Sequence, residues 1–115
     1  MKVLVCGGRD YTNYGHLVRR LDELHYGPRG PITLIIHGGQ RGADTMAEGW
    51  AINRNIHSIP VKAEWGYGGI AGRMRNAKML RDQRPDLIIA FAGGRGTEDM
   101  VSRAVAAGIE ARVLR

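Results

Sequence analysis

Val3-Leu4-Val5-Cys6-Gly7-Gly8-Arg9 runs from four strand-forming apolar residues straight into a glycine pair and an arginine. Two further stretches repeat that order, Ile36-His37-Gly38-Gly39-Gln40-Arg41 and Phe91-Ala92-Gly93-Gly94-Arg95. Outward from these turns, apolar segments of strand length occur at Val3–Cys6, Ile32–Ile36, Ser58–Val61, Leu87–Phe91 and Ala111–Leu114, four of them rich in the β-branched residues that favour strands. The intervening stretches carry a helical period. Leu17, Val18, Leu21 and Leu24 form one stripe, Met46, Ala47, Trp50 and Ala51 a second, and Met100, Val101, Ala104 and Val105 a third. Gly72–Arg84 is weaker, with Met74, Ala77 and Leu80 on one side.

Continuous apolar strands that alternate with amphipathic helices imply a mostly parallel sheet of about five strands, covered on both faces because right-handed crossovers put the helices there. The predicted fold class is therefore α/β, a single-domain Rossmann-like three-layer sandwich spanning residues 1–115. A chain of 115 residues suits one domain with one core. Its 43% hydrophobic and 24% charged residues exclude disordered and collagen-like classes. No apolar run approaches the roughly 18 residues of a membrane span, and Met1–Cys6 meets Gly7-Gly8 too early for a signal peptide. A cytoplasmic protein with no membrane partner is expected.

Glycine turns after parallel strands fall at carboxyl strand ends, the edge at which open α/β sheets bind ligands. There glycine lets backbone N–H groups approach an anion, and each following helix adds the positive end of its dipole, about 0.3–1 kcal/mol toward a charge. An arginine follows each pair within three residues, which turn geometry does not require. Of the 17 basic residues behind the net charge of +6, 14 are arginine, whose planar fork grips phosphate oxygens at two points. Neither G-x-G-x-x-G nor G-x-x-x-x-G-K-[ST] occurs, so the cradle is of neither the dinucleotide-dehydrogenase nor the P-loop design.

Thr45-Met46-Ala47-Glu48 has capping-box spacing, starting the second helix near Asp44–Thr45. Asp44 reads as a ribose-hydroxyl ligand, a cap, or a partner of Arg41. Thr97 reads as the N-cap of the last helix, with Glu98 and Asp99 in its first turn. Glu64–Gly72, with Trp65 and Tyr67 among four glycines, reads as a mobile loop offering a stacking surface. Arg73 and Arg75 follow it at a helix start, within reach of a ligand. The lone Cys6 closes no intramolecular disulfide, and His16, His25, His37 and His57 form no helix-face pair. No metal site and no cofactor are predicted.

Together these elements resemble the SLOG superfamily of Rossmannoid nucleotide-binding proteins, which includes the LOG phosphoribohydrolases and the DprA DNA-processing proteins. The likeness is greatest to its small YspA-type branch. It rests on Val5-Cys6-Gly7-Gly8-Arg9-Asp10-Tyr11, His37-Gly38-Gly39-Gln40-Arg41-Gly42-Ala43-Asp44, Ala71-Gly72-Arg73-Met74-Arg75-Asn76-Ala77-Lys78-Met79 and Phe91-Ala92-Gly93-Gly94-Arg95-Gly96-Thr97, in family order over nearly the whole chain. LOG enzymes cleave the N-glycosidic bond of nucleoside 5′-monophosphates with an arginine in R-K-x-x-M and a glutamate ending P-G-G-x-G-T-x-x-E. Arg75 matches that arginine and Met79 the methionine, while Asn76 replaces the lysine. Ala92 replaces the proline, and Met100 stands at the glutamate position.

The resemblance implies a small-molecule nucleotide partner: a nucleoside monophosphate or an ADP-ribose or NAD-related metabolite. It would be bound by Gly7, Gly8, Arg9, Gly38, Gly39, Arg41, Asp44, Arg73, Arg75, Asn76, Gly93, Gly94, Arg95, Gly96 and Thr97. The role is that of a sensor or sequestering protein. The alternative is LOG-like hydrolysis, with Arg75 and Glu98 as catalytic residues. A third reading, DprA-like binding of single-stranded DNA, draws on the net charge but has only 6% aromatic residues for stacking. Relatives of LOG type pair through helices, so a homodimer or higher homo-oligomer is implied.

Overall fold

The computed structural model describes residues 1–114. In chain order it consists of β1 (Lys2–Cys6), α1 (Tyr14–His25), β2 (Leu34–His37), α2 (Ala43–Asn53), β3 (His57–Pro60), a 3-10 segment (Trp65–Ile70), α3 (Ala71–Gln83), β4 (Leu87–Ala90), α4 (Arg95–Ala106) and β5 (Glu110–Val113). Every strand pair is parallel and the sheet order is β3-β2-β1-β4-β5. This is the α/β sandwich read from the sequence. No helix among the described residues is long and apolar enough to cross a membrane.

Strand periodicity divides the core. Val3, Val5, Ile35, Leu87 and Ile89 point to one face, where Leu17, Leu21 and Leu24 of α1 and Ala47, Trp50 and Ala51 of α2 cover them. Leu4, Ile36 and Ile88 point to the other, against Met79 and Leu80 of α3 and Met100 and Ala104 of α4. The first layer is further fastened by Asp22, which accepts from Trp50 Nε1 at 2.9 Å and from Arg54 Nε and Nη2 at 2.8 Å each. That fork of two N–H groups on one carboxylate ties α1 to the end of α2.

Several local expectations are corrected. Ile32 is buried but lies outside β2, because its amide donates to His25 Nδ1 at 3.0 Å rather than to a neighbouring strand. On α3 the inward side is Asn76, Met79 and Leu80, while Met74 stays 46% exposed. The reason is polar: the Asn76 amide donates to Gly96 O at 3.1 Å and Asp99 Oδ2 at 3.0 Å, turning that face toward α4. Val105 is likewise exposed, so only Met100 and Ala104 of the last stripe are buried. The Trp65–Ile70 stretch, read as a loop, is a 3-10 segment broken at Gly68, where φ is 69°.

Candidate functional site

β1 leads through α1 toward β2 on one side of the sheet, whereas β4 leads through α4 to β5 on the other. Their connections diverge, and a crevice opens at the carboxyl ends of β1 and β4, the switch point of the topology. The Gly7-Gly8 and Gly93-Gly94 turns touch there, with Gly8 N donating to Ala92 O at 2.9 Å. The second glycine turn joins through Gly42, whose φ of 84° favours glycine and whose missing side chain leaves room for the Gly8 carbonyl. At Gly7 a Cβ would stand 2.6 Å from that of Ala43 and 3.2 Å from that of Phe91. All three turns therefore meet at one rim.

Around them lies a cavity of about 710 Å³, lined by Gly7, Gly8, Arg9, Gly38, Asp44, Arg75, Asn76, Gly93, Gly94, Gly96 and Thr97 among the residues read from sequence. Val5, Cys6, Asp10, Tyr11, Gln40, Trp65, Gly72, Met79 and Ala92 complete its walls. Two helices begin at the rim without a side-chain cap, α2 after Gly42 and α4 after Gly94. At α4 the Arg95, Gly96 and Thr97 amides have no acceptor among the described residues and are free to meet an anion, whereas at α2 Ala43 N donates to Gly8 O at 3.3 Å and Thr45 N to Gln40 O at 3.2 Å.

This departs from the expected caps. Thr45 Oγ1 donates back to Gly42 O at 3.1 Å, and Glu48 instead lies 3.3 Å from His37 Nε2, so no capping box forms. His37 is buried, and its Nδ1 accepts from Gly39 N at 3.0 Å, which assigns the ring proton to Nε2 and makes Glu48 its acceptor. Thr97 sits inside the first turn of α4 rather than at its cap, with its hydroxyl in the space a Gly93 side chain would fill.

Asp44 neither caps α2 nor pairs with Arg41. Its Oδ2 accepts from Gly38 N at 3.1 Å and Gln40 N at 3.3 Å, holding the second glycine turn in shape. Its Oδ1 accepts no hydrogen bond among the described residues. Burial pushes the Asp44 carboxyl above the ordinary value, against the opposing pull of the Gln40 and Gly38 amides, His37 and Arg75. Arg75 lies across from it. Nη1 donates to Gly38 O and Nε to Asn76 Oδ1, each at 2.9 Å, while Nη2 has no partner among the described residues. Burial lowers the Arg75 pKa, and Asp44 counters it.

Asn76, read as a ligand contact, has its amide hydrogens engaged with α4 and one lone pair taken by Arg75, so its side chain positions that guanidinium. Arg9 reaches the mouth of the cavity, held by Gln40 Oε1 at 3.3 Å and lying 5.2 Å from the centre of the Trp65 ring. Cys6 lies on the floor, where burial first and then Asp44 push its thiol up to about 12.

Gly39, Arg41, Arg73, Arg95 and Glu98 do not line this cavity. Gly39 and Arg41 border an adjoining shallow depression with Arg9, Gln40 and Trp65, and Arg41 Nη2 pairs with Asp10 at 3.0 Å. Arg73, Arg95 and Glu98 are exposed on their helices, and Met100 is 1% exposed in the core. Gln40 carries no signal of its own in the sequence beyond its place between Gly39 and Arg41. Among the described residues no three His, Cys, Asp or Glu side chains gather in a group fit to hold a metal.

Comparison with known proteins agrees with this architecture. A solved structure described as TM1055, a structural genomics target, superposes with a TM-score of 0.68 at 19% identity, covering 96% of this chain and 71% of that one. A crystal structure of UDP-N-acetylglucosamine 2-epimerase superposes at 0.62 with 15% identity, covering 99% of this chain but only 33% of the epimerase. These share the fold. The Gene 61 protein of Mycobacterium phage D29 is 36% identical over 117 residues, 94% of this chain and 91% of that protein. Residues 1–67, which contain the first two glycine turns and Asp44, match the family model described as YspA, cpYpsA-related SLOG. With more than half its length matched to that model, the chain belongs to the YspA, cpYpsA-related SLOG family.

Proposed function

We propose that the protein binds a nucleotide or nucleotide-derived metabolite, either a nucleoside monophosphate or an ADP-ribose or NAD-related compound, and acts as a sensor or sequestering protein. The observation that carries this reading is the convergence of three glycine turns, the open start of α4 and the Arg75 Nη2, unpartnered among the described residues, on one cavity. The amides of Gly93–Thr97 and the guanidinium suit phosphate oxygens, whereas the Gly8, Gly38, Gly39 and Gln40 amides already donate within their turns and shape the rim. The unengaged Oδ1 of Asp44 then suits a sugar hydroxyl, a donor that offsets burial of the carboxylate. Native mass spectrometry of freshly purified protein tests the reading. A co-purifying nucleotide, lost in the Arg75→Ala variant, is the expected result; protein that is ligand-free and shows no thermal shift with AMP, ADP-ribose or NAD contradicts it.

One observation favours a second reading, hydrolysis of the N-glycosidic bond of a nucleoside 5′-monophosphate. Cleavage develops oxocarbenium charge on the ribose and needs a carboxylate near it. Met100 and Glu98 do not supply one at the cavity, but Asp44 lines it beside Arg75. Chromatography of a nucleotide panel after incubation separates the readings: free base and ribose phosphate mean an enzyme, intact nucleotide means a binder.

A further inference from the structure

Arg75 is shared by the main cavity and a second depression of about 340 Å³, whose walls include Lys62, Glu64, Tyr67, Met74, Lys78 and Arg81. Both volumes fall in the range of small-molecule sites, about 300–1,000 Å³. The second has a mixed character. Tyr67 is 59% and Met74 46% exposed, a flat aromatic and a soft apolar wall with nothing packed on them. Around these stand four cations, Lys62, Arg75, Lys78 and Arg81, and one carboxylate, Glu64.

The cations are poorly neutralised by the fold. Arg81 Nε is held by Asp82 at 3.1 Å, whereas Lys62 and Lys78 make no ion pair or hydrogen bond among the described residues. Arg75, Lys78 and Arg81 follow one another at three-residue spacing along α3, where like charges repel and weaken a helix. A stability role does not explain that ladder. A phosphate-bearing guest beside it does.

We propose that this depression receives the second half of a two-headed ligand, a nucleotide whose phosphate is linked through a pyrophosphate to another ring-bearing unit. The first half occupies the main cavity, the pyrophosphate crosses Arg75 between Asp44 and Lys78, and the second ring lies against Tyr67. This deepens the nucleotide-binding reading and rests on it, since it selects the dinucleotide class over the mononucleotide.

Titration calorimetry with AMP and with ADP-ribose tests it, on wild type and on a Lys62→Gln/Lys78→Gln variant whose thermal midpoint matches wild type. ADP-ribose is expected to bind at least tenfold more tightly than AMP. The double variant should lose about tenfold for ADP-ribose, the size of two exposed contacts to phosphate, and leave AMP unchanged. Equal affinities in wild type, or a variant that weakens both ligands alike, overturns the second subsite while the main cavity stands. Binding of neither ligand overturns the nucleotide reading itself. A Tyr67→Ala variant that lowers affinity for ADP-ribose alone adds support independent of charge; one that affects neither ligand removes the ring contact.

Discussion

Replacing Asp44 probes the fold and the site together, because one carboxylate oxygen serves the glycine turn and the other faces the cavity. Asp44→Ala leaves the Gly38 and Gln40 amides without their acceptor. A buried amide left unpaired costs about 1–3 kcal/mol. Water from the cavity replaces part of that bonding, and relief from burying a charge offsets more, so a net loss of about 2 kcal/mol is expected. At about 2.1 cal/mol/K per residue, a domain of this size falls by about 8 °C in thermal midpoint. Asp44→Asn keeps an acceptor and should lose about 2 °C at pH 7.

The two variants differ again in pH dependence. The folded carboxyl has its pKa raised above 3.8, so the folded state binds this proton more tightly than the unfolded state. The associated stability is fully present below the unfolded value and is lost as pH rises through the folded one. Urea unfolding between pH 4 and pH 7 should therefore show Asp44→Asn gaining on wild type as pH rises. Calorimetry with AMP should show about a 10- to 100-fold loss for Asp44→Ala, from one hydrogen bond to a charged group. A stability gap between Asn and wild type that is flat with pH, or that closes toward low pH, would refute the assignment of a buried, destabilised carboxylate.

Other outcomes follow from the same geometry. Arg75→Ala should weaken AMP binding about 10- to 100-fold, and Arg75→Lys should recover little, since an ammonium cannot hold Gly38 O, Asn76 and a phosphate in one plane; calorimetry measures both. Gly7→Ala forces a methyl against Ala43 and Phe91 and should cost about 1–3 kcal/mol in denaturant unfolding. With its thiol pushed up to about 12, Cys6 should resist a disulfide reagent at pH 8 in the folded protein and react at once in urea. A thiol that titrates below pH 9 would contradict its placement.

The architecture is legible in the sequence because the central strands β1, β2 and β4 are buried on both sides and read as apolar runs, Leu87–Ala90 having no exposed residue, while the edge strands β3 and β5 are partly exposed and more polar. The turns are legible for a related reason, since two glycines after such a run leave few alternatives. What sequence spacing misses is where a polar side chain finds its partner. Thr45 and Glu48 have the spacing of a capping box, yet His37 at the end of β2 draws Glu48 away. Asp44 has three acceptable partners by proximity, and the chain folds so that two loop amides take it. Met74 is apolar and on a helical stripe, but Asn76 turns the helix toward α4 and leaves the methionine outside. Arg73 and Arg95 carry the right chemistry on the wrong side of their helices, a distinction that depends on the phase of the helix at its first turn.

Amide chemical shifts in a titration of the isotope-labelled protein with AMP and ADP-ribose test the central claim most directly. Shifts should concentrate at Gly7–Arg9, Gly38–Gln40 and Gly93–Thr97, the three turns at the carboxyl ends of β1, β2 and β4. Saturating shifts elsewhere, along the exposed edge of β5 for example, or none with either compound at millimolar concentration, would contradict the rim as an anion-binding site.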